Sequence, residues 1–265
     1  MTEKPRVLDF GLALGGGGAK GLSHIPFLAA LDEMNVRPAA ISGCSIGAIV
    51  GVMYAAGMSA AKIIEMIGND SLFDGAMRLF SSDVSDGLTA SILRIALPVS
   101  TFAELAIPTM VVASDYWSRE QVLISDGDLA TAMAASAALP GMILPVRRDG
   151  RTLIDGGCVN PVPFDVLTGK VRHVAAINVA GVKDDSDSAQ APSRTNALFV
   201  AFQIMQHSIL REKLKASPVD FLAQPGLRNI RVLDFDKADA IMESARDDVA
   251  RFRVWVSQLA QQSPA

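Results

Sequence analysis

Two short apolar runs, each closing on glycine and each followed by apolar residues at helical spacing, constrain the fold of this chain more than any other feature. Arg6 to Leu14 reads as a strand that runs into Gly15–Gly18, after which AKGLSHIPFLAALDEMN has helical periodicity. Ala39 to Gly43 is a second apolar strand, Ser45 to Ala56 a helix with almost no polar face, and Gly57 its C-terminal stop. Strand, tight turn, helix, used twice, predicts an α/β fold built on a mostly parallel central sheet flanked by helices.

The rest of the chain extends that plan. Pro108 to Ser114, Gln121 to Ser125 and Arg151 to Ile154 read as strands, and Asp128 to Leu139 reads as a helix ended by Pro140 and Gly141. His173 to Val179 is a strand of the buried parallel kind. Lys183 to Asn196 is polar and serine-rich, a loop before helices at about 197–215 and 238–259. Asn69 to Ser100 is the least regular stretch, and its segment LTASILRIALPV suits an interfacial lid and a buried helix equally. At 265 residues one domain is expected over 1–265, with a motif-bearing core at about 7–180 and a C-terminal helical extension at about 195–260.

Charge and composition remove several function classes. The net charge is −4 and no run of Lys or Arg exists to neutralise a row of phosphates, so nucleic acid is not expected as a partner. The two cysteines, Cys44 and Cys158, sit inside glycine-rich motifs, unlike a disulfide framework, and read as small core residues. No secretory signal opens the chain, which makes a cytoplasmic location the expectation. Ala39 to Ala61 carries no charge and has Gly43, Gly47 and Gly51 at small-xxx-small spacing, but Ser42, Ser45 and Gly57 interrupt it, so a strand, turn and helix is expected there instead of a membrane span.

Gly43-Cys44-Ser45-Ile46-Gly47 matches G-x-S-x-G between a strand and a helix, the setting of a nucleophile elbow. The loop GGGGAKG, from Gly15 to Gly21, offers consecutive backbone N–H groups at a helix opening and suits an anion. That anion is either a dinucleotide pyrophosphate on Gly16–Gly21 or the oxyanion of an acyl intermediate on Ser45. The dinucleotide fingerprint wants an acid about 20 residues on, and Ala39 to Ser42 has none. The P-loop pattern fails because glycine follows Lys20. Asp155-Gly156-Gly157 ends a strand and on its own is a turn former. Of the three histidines, His24 lies in the first helix, while His173 or His207 could complete a Ser, Asp, His triad. HExxH and calcium-loop spacings are missing, and neither metal nor cofactor is expected.

Together these motifs resemble the patatin-like phospholipases, particularly short bacterial members, from about Val7 to Val179. The likeness rests on GGGGAKG, on GCSIG, on AASAALPG and on DGGCVNPVP from Asp155 to Pro163, all in the family's order. It implies a three-layer α/β/α fold and a serine–aspartate dyad, with Ser45 as nucleophile and Asp155 as base. It also implies an oxyanion hole from the amides of Gly16, Gly17 and Gly18, with Gly21, Gly43, Gly47, Gly156 and Gly157 as motif glycines. The implied reaction is metal-independent hydrolysis of a phospholipid or related lipid ester, with peripheral contact at a membrane. Lys20 stands where the family commonly has Arg, and Cys44 where Thr is frequent; neither removes a catalytic group. For Asp155 to act as a base its pKa should rise towards neutrality, which burial near Leu153, Ile154 and Val159 would do.

Overall fold

The computed structural model describes residues 4–68, 86–180, 194–228, 230–232 and 234–262. Among the described residues eight strands, β1 (Arg6–Leu14), β2 (Val36–Cys44), β3 (Thr109–Asp115), β4 (Gln121–Ile124), β5 (Val146–Arg148), β6 (Arg151–Asp155), β7 (His173–Ile177) and β8 (Phe221–Ala223), form one sheet. Its order is β5-β6-β3-β2-β1-β7-β8, with β4 paired to β3. The centre, β3-β2-β1-β7-β8, is parallel, and β4, β5 and β6 pair antiparallel at one end. The helices are α1 (Ile25–Glu33), α2 (Ile46–Ala55), α3 (Ala60–Gly68), α4 (Asp86–Ile95), α5 (Leu129–Ser136), α6 (Arg194–Ala216), α7 (Ala238–Glu243) and α8 (Arg246–Gln262).

Alternation along β1 sorts the layers. Leu8, Phe10, Leu12 and Leu14 face the helices α1, α2, α3 and α8, whereas Ala13 faces Phe164, Leu167 and Leu210 on the opposite side. The uncharged stretch from Ala39 is β2 and α2, and among the described residues no helix is long and apolar enough to cross a membrane. Met53 and Met58 of this stretch are core, as is Met133 of α5.

The segment 195–260 does more than add helices. It contributes β8 to the sheet and α8 to the main core, a strand that three residues are too short to announce by periodicity. Phe252 of α8 is 0% exposed and meets Phe10, Phe27, Phe221 and Trp255 with ring centroids 6.4, 5.5, 5.4 and 5.9 Å away. Phe252→Ala is therefore expected to destabilise the fold by about 3–5 kcal/mol. Urea unfolding checks this, and a loss below about 1 kcal/mol would contradict the packing.

The lid expectation falls partly outside the described residues, which omit 69–85. What is described, α4, is anchored: Ala90 is buried in the cluster around α5, and Arg94 Nη2 donates to Asp128 Oδ1 at 3.0 Å. Asp128 is itself the N-cap of α5, accepting from Thr131 N–H at 2.7 Å.

Candidate active site

The register of β3 brings two strand ends together. On one edge of β3, β2 finishes with Cys44 opposite Val112, and β6, running the other way, finishes with Asp155 opposite Ala113. Because β4 occupies the other edge through Val111–Ser114, β2 and β6 share a single edge and meet head to head. Ser45 and Asp155, 110 positions apart in sequence, thus become neighbours by strand pairing alone.

Ser45 forms the turn between β2 and α2 with φ 54 and ψ −124, a conformation that costs a non-glycine residue about 1–3 kcal/mol. The flanking glycines make the turn feasible. A Cβ on Gly43 would lie 2.5 Å from the Ala48 Cα, and one on Gly47 would lie 2.2 Å from the Leu14 carbonyl oxygen. The Ser45 carbonyl accepts from the N–H groups of Ala48 and Ile49 as α2 begins. Its N–H donates to Ser136 Oγ at 2.8 Å. Its hydroxyl donates to Asp155 Oδ2 at 2.7 Å.

Asp155 is 2% exposed, and its other oxygen accepts from the Gly157 N–H at 2.7 Å. Burial lifts its carboxyl to about 6, against the opposing pull of the hydrogen bonds from Ser45 and Gly157. Its backbone is tied as well: Ser114 donates to the Asp155 carbonyl at 2.8 Å. Gly156 is pressed on the Val112 carbonyl, and Gly157 on Gln206 of α6. Cys44 is fully buried with Sγ 4.0 Å from Asp155 Oδ1, and burial followed by the carboxylate charge pushes its thiol up. Cys158 is also a free thiol raised mainly by burial.

The glycine loop abuts Ser45: a Cβ on Gly16 would stand 3.3 Å from the Ser45 Cβ. Its three amides differ. Gly16 N–H is already engaged by the Pro161 carbonyl at 2.9 Å, whereas Gly17 and Gly18 are partly exposed and their N–H groups have no backbone acceptor among the described residues. Gly18 has φ 59, and a Cβ there would strike the Val232 carbonyl oxygen at 2.3 Å. Gly21 lets the short 3-10 turn Gly18–His24 lie against Ile46. Lys20 is 6% exposed and donates to the Ala180 carbonyl, tying the loop to the segment that follows β7.

The histidines sit elsewhere. His24 is 0% exposed; its Nε2–H donates to the Gly15 carbonyl at 2.8 Å, and burial drives its pKa down to about 4. His173 opens β7 level with Phe10, four residues before the Leu14–Gly43 pairing, and meets Asp220 at 3.2 Å. His207 is exposed on α6, one residue after the buried Gln206. Ser136 and Ser114 are the site-adjacent groups that no sequence reading singled out; the only signal was that Ser136 lies within AASAALPG. Among the described residues no cluster of three or more His, Cys, Asp or Glu is placed to hold a metal ion.

The family model described as patatin-like phospholipase matches residues 12–168. An uncharacterized NTE family protein of Mycobacterium tuberculosis is 33% identical over 179 residues, covering 63% of this chain and 47% of that protein. The lysophospholipase NTE1 of Cryptococcus neoformans is 29% identical over 190 residues, covering 67% of this chain and 12% of that protein. This chain therefore spans less than half the length of either relative. In fold it is similar to VipD from Legionella pneumophila, with a TM-score of 0.55 at 14% identity over 95% of this chain and 67% of that one. With the family model covering more than half of its length, the chain belongs to the patatin-like phospholipase family.

Proposed function

We propose that this protein hydrolyses lipid acyl esters, lysophospholipid or phospholipid, through Ser45 as nucleophile and Asp155 as its proton acceptor. The observation that carries the reading is the direct 2.7 Å hydrogen bond from a strained serine hydroxyl to a buried carboxyl raised to about 6. Such a carboxyl is ionised at neutral pH and still basic enough to take a proton.

Ser45 Oγ attacks the acyl carbonyl as its proton passes to Asp155. The oxyanion is received by the amides of Gly17 and Gly18, which have no backbone acceptor among the described residues, while Gly16 N–H, held by Pro161, fixes the loop. Collapse breaks the ester C–O bond, and the Asp155 proton goes to the departing alcohol. Water then gives a proton to Asp155, attacks the acyl-serine, and releases the fatty acid as the proton returns to Ser45.

A His-containing triad is less well supported. His173 lies at the opposite end of its strand, about 13 Å along the sheet from the level of Gly43, and His24 is spent on the Gly15 carbonyl. A dinucleotide site lacks the acid at the end of β2, where Ser45 stands instead. Peripheral contact with a lipid surface is assigned to the first half of α6. ALFVAFQIM (Ala197–Met205) has no charge, exposes Leu198, Ile204 and Met205, and adjoins Gln206, which packs on Gly157 beside Asp155.

One assay tests these assignments: hydrolysis of a soluble p-nitrophenyl ester and of lysophosphatidylcholine micelles by wild type, His173→Ala, His207→Ala and Ile204→Asp. Both substrates are expected to be cleaved, the histidine variants to keep wild-type rates, and Ile204→Asp to slow on micelles alone. A folded histidine variant without activity would overturn the dyad. Equal rates of Ile204→Asp and wild type on micelles would remove the α6 contact.

A further inference from the structure

The acyl-transfer scheme uses no residue of AASAALPG, yet the serine of that segment touches its most strained member. Ser136 is the last residue of α5 and is 0% exposed. Its hydroxyl donates to the Val112 carbonyl at 2.6 Å and accepts from the Ser45 N–H at 2.8 Å. A hydroxyl has one proton, so commitment to Val112 leaves Ser136 Oγ as a pure acceptor towards Ser45. Hydroxyl rotation is thereby fixed, and so is the direction of the bond to the nucleophile's backbone.

The two halves of the Ser45 backbone are held differently. Its carbonyl is taken up by the first turn of α2, a local restraint that any helix start provides. Its N–H precedes the helix, and the partner that holds it, Ser136, comes from 91 positions away. A residue at φ 54 and ψ −124 persists only if its surroundings over-determine it. Ser136 is the polar restraint on the side of that residue where helix formation cannot act. The same strand also indexes the other partner, since Ser114 on β3 holds the Asp155 carbonyl.

We propose that Ser136 is a positioning residue for Ser45: by anchoring the Ser45 N–H to the Val112 carbonyl of β3, it keeps the nucleophile's hydroxyl aligned with Asp155 and with the glycine-loop amides. The proposal rests on the reading of Ser45 as nucleophile. Without Ser136 Oγ the half-buried Ser45 N–H loses the acceptor that holds it and the elbow relaxes. Displacement of a reacting group by about 1 Å is worth about 10²-fold in rate. Substrate binding, which does not depend on that alignment, should hardly change.

The test compares wild type, Ser136→Ala, Ser136→Thr, Ser136→Cys and Ser45→Ala in p-nitrophenyl ester hydrolysis and in inactivation by a fluorophosphonate, with folding checked by circular dichroism. Ser136→Ala is expected to lower kcat and the inactivation rate in parallel by about 10²-fold, with KM little changed and the acid limb of the pH profile still set by Asp155. Ser136→Thr, which keeps the hydroxyl, restores most of the rate; Ser136→Cys, a weak acceptor, does not. A folded Ser136→Ala with the wild-type kcat overturns the proposal. Should Ser136→Ala fail to fold, equal kcat in the Thr and Cys variants overturns it just as well. Activity surviving in Ser45→Ala would instead defeat the reading of the site itself.

Discussion

Ser45→Ala is expected to abolish ester hydrolysis, with kcat falling by about 10⁶-fold, the scale on which removal of a serine nucleophile acts. The substitution is structurally mild. Alanine retains the Cβ, so the turn at φ 54 is no more and no less strained than before, and the Gly43 and Gly47 contacts that shape it are untouched. What is lost is the hydroxyl that donates to Asp155 at 2.7 Å. The carboxyl, relieved of a hydrogen bond that lowers its pKa, becomes a still weaker acid. Folding and lipid binding should survive, and a variant that binds micelles normally without hydrolysing them is the expected phenotype. Retention of more than about one part in 10² of the wild-type kcat by a folded Ser45→Ala would exceed any contribution of binding and oxyanion stabilisation alone.

Asp155→Asn is expected to carry the second-largest effect, a fall in kcat of about 10²–10⁴-fold, the range for loss of a general base. The same carboxyl should govern pH dependence. A carboxyl acting as base must be ionised to accept the Ser45 proton, so kcat/KM should rise with pH through about 6 and level off above it. Stability should move the opposite way. The native carboxyl titrates near 6 and an unfolded one near about 3.9, so between those values the native state holds more protons than the unfolded state. Stability is therefore highest below that window and falls as pH rises through it, by up to about 3 kcal/mol. Asparagine has no charge to bury, so Asp155→Asn should lose this slope and be more stable than wild type near neutral pH. Urea midpoints for both proteins on either side of the window check this. Parallel pH curves for the two proteins would mean that Asp155 is not the buried, elevated acid described here.

The parts of this site that sequence discloses are those written in local chemistry. Arg6–Leu14 is recovered residue for residue as β1, since an apolar run ending in glycine has few alternatives. The elbow is legible because Gly43, Ser45 and Gly47 must be adjacent to one another in sequence to make that turn. Strands β5 and β8, three residues each, fall below the length at which alternation carries information. The antiparallel insertion of β4, β5 and β6 was also hidden from an expectation of a mostly parallel sheet, and it is this reversal that carries Asp155 to Ser45. The roles of Ser136 and Ser114 depend on the register of β3 against two other strands, a long-range quantity with no local signature. The inequality among the loop amides depends likewise on Pro161, 145 positions beyond Gly16, so a reading of GGGGAKG treats Gly16, Gly17 and Gly18 alike.

The most direct test of the central claim is covalent: treat the wild-type protein with a fluorophosphonate and map the modified residue by peptide mass spectrometry. The account predicts stoichiometric labelling on Ser45, in parallel with loss of esterase activity, and no labelling of Ser45→Ala. A label carried by another residue, or esterase activity that persists in fully labelled protein, would contradict it.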